Sequence, residues 1–503
     1  MSSQDRTPTQ WPVPRHISGI RAGEVLTDRS GKSLPIINPA TEEVISTLYE
    51  DDSMQVRNVV CAARKAFDQG PWSSMDLRSR KRILRSIHDA IIAHADELAY
   101  LECLDTGGPL WDIRQRKINR VAENFAFFSE VASTTTGETY QQNPNVLTMV
   151  TREPVGVAAI LAPWNAPMSL ATMQIAPCIA FGNTCVVKPS EHTPISLFRL
   201  VEIMYEAGLP PGVVNLVNGR GSVTGAALVA DPRVDMVKFI GGTETGRSIL
   251  SATATSFKKV GLELGGKSAN IIFEDADMDD ALTGALLSIY TNNGQQCLAG
   301  SRILVQRSIS DDFISRFVER AKKIKIGDPL DPTTEMGPLA YKGHFERVLS
   351  YVDKAQNEGA ELLTGGERAP NFSSGYYFEP TAVLAPNNKI RVCQEEIFGP
   401  FATFIEFETL DDAIAIANDT PFGLVGYAWS RDVRKLMQVS KRLQTGTVWL
   451  NMPSTRELRA PFGGVKDSGV GRDGLAASTD FYTTVKTTSL PWDRVDLRSI
   501  GMG

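Results

Sequence analysis

The sequence predicts an α/β protein in which two successive blocks of alternating strand and helix each build a parallel sheet, followed by a short β-rich tail. Three observations predict it. The chain has 503 residues, well beyond the ~250–300 at which one hydrophobic core stops growing, so more than one domain is expected. From 147 to 240, strand-like runs alternate with runs of helical period, the pattern of βαβ units. The same alternation resumes at 263 and continues to about 450, which makes a second α/β unit.

Taken in chain order, residues 53–69 (SMQVRNVVCAARKAFDQ), 76–104 and 113–132 space their apolar residues three and four apart, which is the helical period. LTMVTREPVGVAAILAP, beginning at 147, reads as two strands, and APCIAFGNTCVVKPS couples an apolar segment to a short β-rich run. A helix over 196–207, the loop GLPPG, the strand VVNLV, another helix and the strand MVKFI (236–240) complete the first block. Between 263 and 307 the order is the strand ANIIFE, a helix over 280–293, a glycine-flanked loop carrying Cys297, and the strand RILVQ. The last segment, FYTTVKTTSLPW, is strand-like with no helix to complete a unit. An unpaired tail strand of this kind joins another subunit's sheet.

Composition narrows the function classes. With 42% hydrophobic residues, 22% charged residues and a net charge of -6, the chain has the balance of a globular enzyme and no electrostatic footprint for nucleic acid or an anionic membrane. Small molecules are the expected partners. No uninterrupted apolar run approaches the ~20 residues that cross a bilayer. The first sixteen residues, MSSQDRTPTQWPVPRH, are polar and proline-containing and read as a loose arm without the apolar core of a secretory signal. Six cysteines (61, 103, 178, 185, 297, 393) show no CxxC or Cys/His spacing, and the five histidines are scattered. A reducing cytoplasm is expected, and no metal centre.

Three residues stand out chemically. Cys297, in NNGQQCLAGSR, is either a small core hydrophobe or a nucleophile. Its polar, glycine-flanked loop between helix and strand favours a side chain that faces a cleft. Cys178, Cys185 and Cys393 lie in apolar or strand-like runs and look structural. Glu263, in VGLELGGKS, is either a strand-edge carboxylate or a desolvated one, and desolvation raises a carboxyl pKa toward that of a general base working near neutrality. Asn165, in PWNAPM directly after the strand VGVAAILA, either caps a turn or offers a fixed amide donor at the carboxyl end of a strand.

The spacing GxGxxG is absent, since GRGSVTG (219–225) does not fit it. GGTETG (241–246) follows a strand and precedes a helical segment, so its backbone N–H groups suit a pyrophosphate. VVKPSE places Lys188 and Glu191 after another strand, where an acid can bind ribose hydroxyls.

In this order, PWNAP, VVKPSEHTP, GLPPGVVNLVNG, FIGGTETG, LELGGKS, NNGQQCLAGSR, IGDPLDPTTEMGPL, EEIFGP, NDTPFGL, GTVWLN and PFGGVKDSGVGR resemble the aldehyde dehydrogenase superfamily, in its NAD(P)-dependent hydrolytic branch. The resemblance implies that Cys297, as thiolate, attacks the aldehyde carbon, with the oxyanion held by Asn165 and the Cys297 backbone N–H. Hydride transfer then leaves a thioester, and Glu263 activates the water that hydrolyses it. With no histidine nearby, the thiolate relies on local dipoles and on the positive nicotinamide.

The resemblance also implies that Lys188 and Glu191 meet the adenosine ribose and that Gly241, Gly242, Thr243 and Gly246 lie under the pyrophosphate. It implies that Glu396 and Phe398 position the nicotinamide half and that Trp164 packs near the cofactor. Glu191 favours NAD, with NADP possible. The implied fold has a Rossmann-like cofactor domain (1–135 and 151–262), a catalytic domain (263–472) and a small β oligomerisation element (136–150 and 473–503) in a homodimer or homotetramer. Two positions depart from the family pattern: Gln174 stands where such enzymes carry lysine, and Gly471-Arg472-Asp473 stands where they read GRE. Both positions are associated with carrying protons from the base, so a different and slower proton route is expected at Glu263.

The loop NMPSTRELRAPF (451–462) carries Arg456 and Arg459, and together with Arg120 it is similar to semialdehyde dehydrogenases that act on muconate-type substrates bearing a carboxylate. Guanidinium groups suit carboxylates because they offer paired donors. Met168, Met173, Leu298 and Phe462 are expected to make the rest of the pocket apolar, which leaves an aromatic or medium-chain aldehyde as the alternative. The same arginines disfavour cationic aldehydes. A cysteine hydrolase would need a base at the thiol, a retired enzyme has no reason to keep Cys297, Glu263 and Asn165 together, and acyl transfer to coenzyme A is disfavoured by Glu263.

Overall fold

The computed structural model describes residues 11–495 together with 500 and 501. Up to residue 10, the expected N-terminal arm lies outside the described residues. The first large sheet has at its centre five parallel strands, side by side in the order Lys259–Glu263, Met236–Ile240, Val157–Leu161, Thr184–Lys188 and Val214–Leu216. The strands 157–161, 184–188 and 236–240 are buried at every residue. They sit between helix layers, which is why they read as continuous apolar runs without alternation.

The chain moves outward from Val157–Leu161 to one side of the sheet, then returns and adds Met236–Ile240 and Lys259–Glu263 on the other. The switch opens a crevice at the carboxyl ends of these strands, the usual ligand site of open α/β sheets. Helix Ser53–Gln69, started by an Asp52–Gln55 capping box, packs its valines on one face. The helical run expected over 76–104 is broken at His94 into Leu77–Ala93 and Ala95–Thr106.

The second sheet runs Glu361–Thr364, Thr381–Leu384, Phe401–Phe407, Arg302–Gln306, Ala269–Ile272, Val425–Trp429 and Thr447–Leu450, parallel except for the first pair. Its crossover helices include Met278–Tyr290, whose start is capped by Asp277 and followed by Asp279 and Asp280, acids that suit a helix N-terminus.

The tail differs from expectation in three ways. Thr483–Pro491 is not unpaired within the chain: it runs antiparallel to Val146–Pro154 over nine residue pairs, with Glu138–Tyr140 on the far side. That full register carries the small sheet past the expected boundary at 150, to Pro154. The segment just before the strand does not belong to the small sheet. It forms helix Leu475–Tyr482, and Tyr482 is sealed in the core of the first unit. Gly469–Val470, expected in the second unit, instead edges the first sheet beside Lys259–Glu263. Among the described residues no helix is long and apolar enough to cross a membrane.

Candidate active site

Four successive strands of the first sheet deliver their ends to one crevice. Val157–Leu161 leads into Trp164 and Asn165, Thr184–Lys188 ends on Lys188 with Glu191 just beyond, Met236–Ile240 leads into Gly241 and Gly242, and Lys259–Glu263 ends on Glu263 itself. The second sheet comes from the opposite side with its amino ends: Cys297 precedes Arg302–Gln306, and Glu396 and Phe398 precede Phe401–Phe407.

The Cys297 loop is held by backbone geometry and by hydrogen bonds that are mostly neutral. Asn292, Asn293 and Gly294 are consecutive left-handed residues with φ of 55°, 57° and 71°, a conformation that asparagine and glycine tolerate best. Asn293 donates to the carbonyls of Gly107 (3.1 Å) and Pro338 (2.8 Å) and accepts from the Gly337 N–H at 2.8 Å. Asn292 donates to Gln295 O (2.8 Å) and Asn165 O (3.1 Å), and Lys117 donates to Asn292 Oδ1 at 2.7 Å. The Gln295 side chain accepts from the Ala340 N–H at 2.9 Å. Asn165, 8% exposed, spends one amide N–H on Gln295 O at 2.9 Å. An amide NH₂ has two donors, so this bond fixes the group beside the loop and leaves a second N–H.

The thiol is half-buried and packs with Leu298 against Leu424, Tyr427, Trp449 and Phe462. Burial pushes Cys297 up to about 12, with Glu396 and Glu263 adding to the rise and Arg456 and the residue's own backbone N–H opposing it. Glu263 is 6% exposed and its Oε2 has no protein partner. Burial, and then Asp473, hold it well above the usual carboxylate range, against Lys238, Arg456 and Arg472. Glu396 accepts from the Gly266 N–H at 2.9 Å and is pushed up to about 7 by burial.

Gln174 and Asp473, the two departures from the resembled pattern, prove to be hydrogen-bonded to each other at 2.8 Å. The lysine absent at 174 has a counterpart one element away: Lys238 donates to the other Asp473 oxygen at 2.7 Å. Sequence reasoning missed Lys238, although an ammonium in the middle of the apolar run MVKFI is a visible anomaly.

The cofactor candidates form an open cradle. Gly242, at the N-terminus of helix Thr243–Thr253, has no side-chain cap, and a Cβ there would meet nothing within 4 Å. Gly246 lies under Leu264, which a Cβ would approach to 2.8 Å. Lys188 is buried 3.5 Å from Glu191, and burial lowers its pKa. Trp164 packs edge-on to Phe398 (5.2 Å) and Tyr341 (5.4 Å) and against His344 at 4.9 Å. The last two were not foreseen. An uncapped helix start, a buried ammonium paired with a partly exposed carboxylate, and an aromatic wall fit the pyrophosphate, ribose and nicotinamide portions of a dinucleotide.

The substrate candidates divide. Arg456 lies 4.5 Å over the Phe462 ring and its charge acts on Cys297, Glu263 and Asp473. Its loop is tied down by Trp449, which donates to Thr455 O at 2.9 Å. Arg120 lies close enough for its charge to feel Arg456, and its Nη2 is buried without a partner. Leu298 and Phe462 join this wall, and Met173 is 5% exposed. Met168 does not line the site: it is fully buried in the first core, on the inner face of helix Pro167–Ala180. Arg459 points away as well, exposed and forked onto Glu457 at 2.9 and 3.0 Å.

A half-buried thiol, a desolvated carboxylate and an open cradle that fits a dinucleotide, gathered where two α/β sheets meet, are the makings of a cofactor-dependent oxidoreductase. The pattern of the "Aldehyde dehydrogenase family" matches residues 26–488. The chain is 41% identical over 94% of its length to a betaine aldehyde dehydrogenase of Cereibacter sphaeroides, covering 97% of that protein. It is 40% identical over 87% of its length to a 5-carboxymethyl-2-hydroxymuconate semialdehyde dehydrogenase of Escherichia coli, covering 93% of that protein.

Among solved structures, HpcC from Thermus thermophilus superposes with a TM-score of 0.93 at 42% identity, over 96% of this chain and 95% of that one. A betaine aldehyde dehydrogenase from Staphylococcus aureus in complex with NAD+ superposes with a TM-score of 0.93 at 38% identity, over 96% of each chain. The chain belongs to the aldehyde dehydrogenase family and is an NAD(P)-dependent aldehyde dehydrogenase.

Proposed function

We propose that this enzyme oxidises a muconate-type semialdehyde bearing a carboxylate, with NAD as hydride acceptor. The observation that carries the reading is the Arg456–Arg120 pair. Arg456 packs on Phe462 in the wall beside the thiol, the Arg120 guanidinium is near enough to feel its charge, and Arg120, paired with Glu123 through Nη1 at 4.0 Å, keeps a buried Nη2 without a partner. A substrate carboxylate would give that Nη2 its acceptor, and guanidinium groups suit carboxylates because they offer paired donors. Identities of 41% to the betaine enzyme and 40% to the semialdehyde enzyme do not separate the two substrates. The two arginines favour the carboxylated substrate, because a cationic aldehyde meets two like charges.

In this reading the Cys297 sulfur forms a bond to the aldehyde carbon, and the new oxyanion is held by the Asn165 amide and the Cys297 backbone N–H. When bound, NAD accepts the hydride from that carbon. Glu263 then takes a proton from water, the hydroxide oxygen bonds to the thioester carbon, and the carbon–sulfur bond breaks to release the acid and the thiolate. Trp164, Phe398 and Glu396 orient the nicotinamide end, and Lys188 and Glu191 the ribose end. Glu191 favours NAD because its carboxylate repels a 2′-phosphate.

Subunits associate as a homodimer or homotetramer through the outer edge of Thr483–Pro491, where Val485 and Leu490 are exposed. The sheets group into a cofactor domain, a catalytic domain and the small oligomerisation element.

A panel of carboxylated, neutral and cationic aldehydes, each with NAD and NADP, tests the assignment. We expect Arg456→Ala to raise KM for the carboxylated semialdehyde by about 10- to 100-fold, with a smaller rise for Arg120→Ala, as for loss of a charged hydrogen bond. An unchanged KM in both variants, with neutral aldehydes turned over equally well by the wild type, would leave the aromatic or medium-chain aldehyde as the substrate.

A further inference from the structure

Lys238 occupies the middle of Met236–Ile240 and is 2% exposed. An ammonium so buried is costly unless it is paired. Its Nζ lies 2.7 Å from Asp473 Oδ1 and 4.6 Å over the Phe481 ring, and Asp473 is itself 1% exposed. The second Asp473 oxygen accepts from Gln174 Nε2 at 2.8 Å, and Tyr482 donates its hydroxyl to Gln174 Oε1 at 3.1 Å. The lysine reaches Asp473 by crossing the neighbouring strand at its register partner Gly261, where a Cβ would lie 2.7 Å from the lysine Cε. Any other residue at 261 would force the lysine chain to shift.

This pair sits directly behind Glu263. Glu263 is two residues beyond Gly261 on the same strand and therefore projects from the same face. Asp473 is fastened to Phe462 by two backbone hydrogen bonds of 2.7 Å. The next residue, Gly463, lies under Glu263, so that a Cβ there would be 2.6 Å from Glu263 Oε1. The charges facing Glu263 are Asp473, Lys238, Arg456 and Arg472, and the Cys297 thiol shares the same field. Asp473 is faced by Lys238, by Arg456 and by the Tyr482 hydroxyl.

We infer that Lys238 is a positioning residue for the hydrolytic half-reaction: its ion pair with Asp473 behind Glu263 offsets the negative charge that Asp473 presents to Glu263. The inference rests on Glu263 being the base. Without the ammonium, the Asp473 carboxylate acts on the desolvated Glu263 uncompensated, and Glu263 keeps its proton to higher pH. A purely structural pair would move stability and leave the pH dependence of the chemistry where it was.

The test is the rate of acyl-enzyme decay in single turnover, followed against pH. Lys238→Met is expected to move the midpoint of that profile up by about one pH unit, with acylation unchanged. Adding Gln174→Lys to Lys238→Met returns a cation to Asp473 from the helix side and restores the wild-type midpoint. An unchanged midpoint in Lys238→Met, or a midpoint that stays shifted in the double variant, overturns the inference. If the single variant does not fold, the double variant decides alone, by a wild-type or a shifted midpoint. Failure of both to fold marks the pair as structural and also overturns it. Glu263→Gln separates the premise: hydrolysis at the wild-type rate in that variant removes Glu263 as base, whatever Lys238 does.

Discussion

The two sheets meet the site in opposite senses and supply different things. The first presents the carboxyl ends of its strands, and with them charge: Glu263, Lys188 with Glu191, and the uncapped start of helix Thr243–Thr253. The second presents amino ends, so its contribution comes from loops that enter strands. Those loops are built from left-handed backbone and mostly neutral hydrogen bonds around Cys297, Phe398 and Glu396. The difference teaches that one half of the site is an open receptor, while the other is a locked frame that fixes Cys297.

Two alanine substitutions at glycine should break that contrast most sharply. Gly294 has φ 71°, and a Cβ there would enter the backbone of Gly399 and Pro400. Gly294→Ala should destabilise the protein by about 3 kcal/mol or more and abolish turnover, because strain and overlap add. Gly242→Ala, with φ -76° and open space, should leave stability within about 0.5 kcal/mol. Thermal unfolding of the pair checks both. Equal losses would mean that the two halves are equally rigid.

The next largest effect is expected at Asn293. Its side chain satisfies two buried carbonyls and one N–H across three segments. Asn293→Ala leaves them unpaired and should lose about 2–3 kcal/mol of stability, with kcat falling more than KM rises. Urea unfolding together with steady-state kinetics would show it, and a loss below about 0.5 kcal/mol would mean that the left-handed backbone alone holds the loop.

The smallest effect concerns Glu396. Its carboxyl is raised from 4.5 to about 7 by burial, so the folded state binds the proton more tightly than the unfolded state does. The stability this contributes is fully present below the unfolded value and is lost as pH rises through about 7. Glu396→Gln removes the titration. Between about pH 5 and about pH 8 the melting temperature of the wild type should fall by more than that of the variant. Parallel curves would show that bound water solvates the carboxylate better than the protein alone suggests.

Much of the first half of the site was legible in the sequence because a βα turn is a local object. Strand, glycine or proline, then helix start: PWNAP and FIGGTETG carry that order in a few residues, and the turns stand where it puts them. Cys297, Glu263 and Asn165 were visible as misfits, a thiol in a polar loop, an acid between leucines and an amide between prolines. The arginines were visible only as residues. Arg456 faces the thiol while Arg459, three positions on, is exposed with Glu457, and nothing in RELR distinguishes them. Met168 was expected to help make the pocket apolar, but helix Pro167–Ala180 turns it into the core.

The sequence by itself determined the class of fold, the order of the units and the chemical types gathered at the site, because periodicity and turn chemistry act between near neighbours. Only the tertiary structure decided that Tyr482 belongs to the first core, that Gln174 and Asp473 are partners, and that their cation is Lys238. Those contacts join residues 235 and 299 positions apart. A buried charge is tolerated only where its partner is brought to it, and which partner arrives is settled by the packing of sheets and helices rather than by the residues beside it.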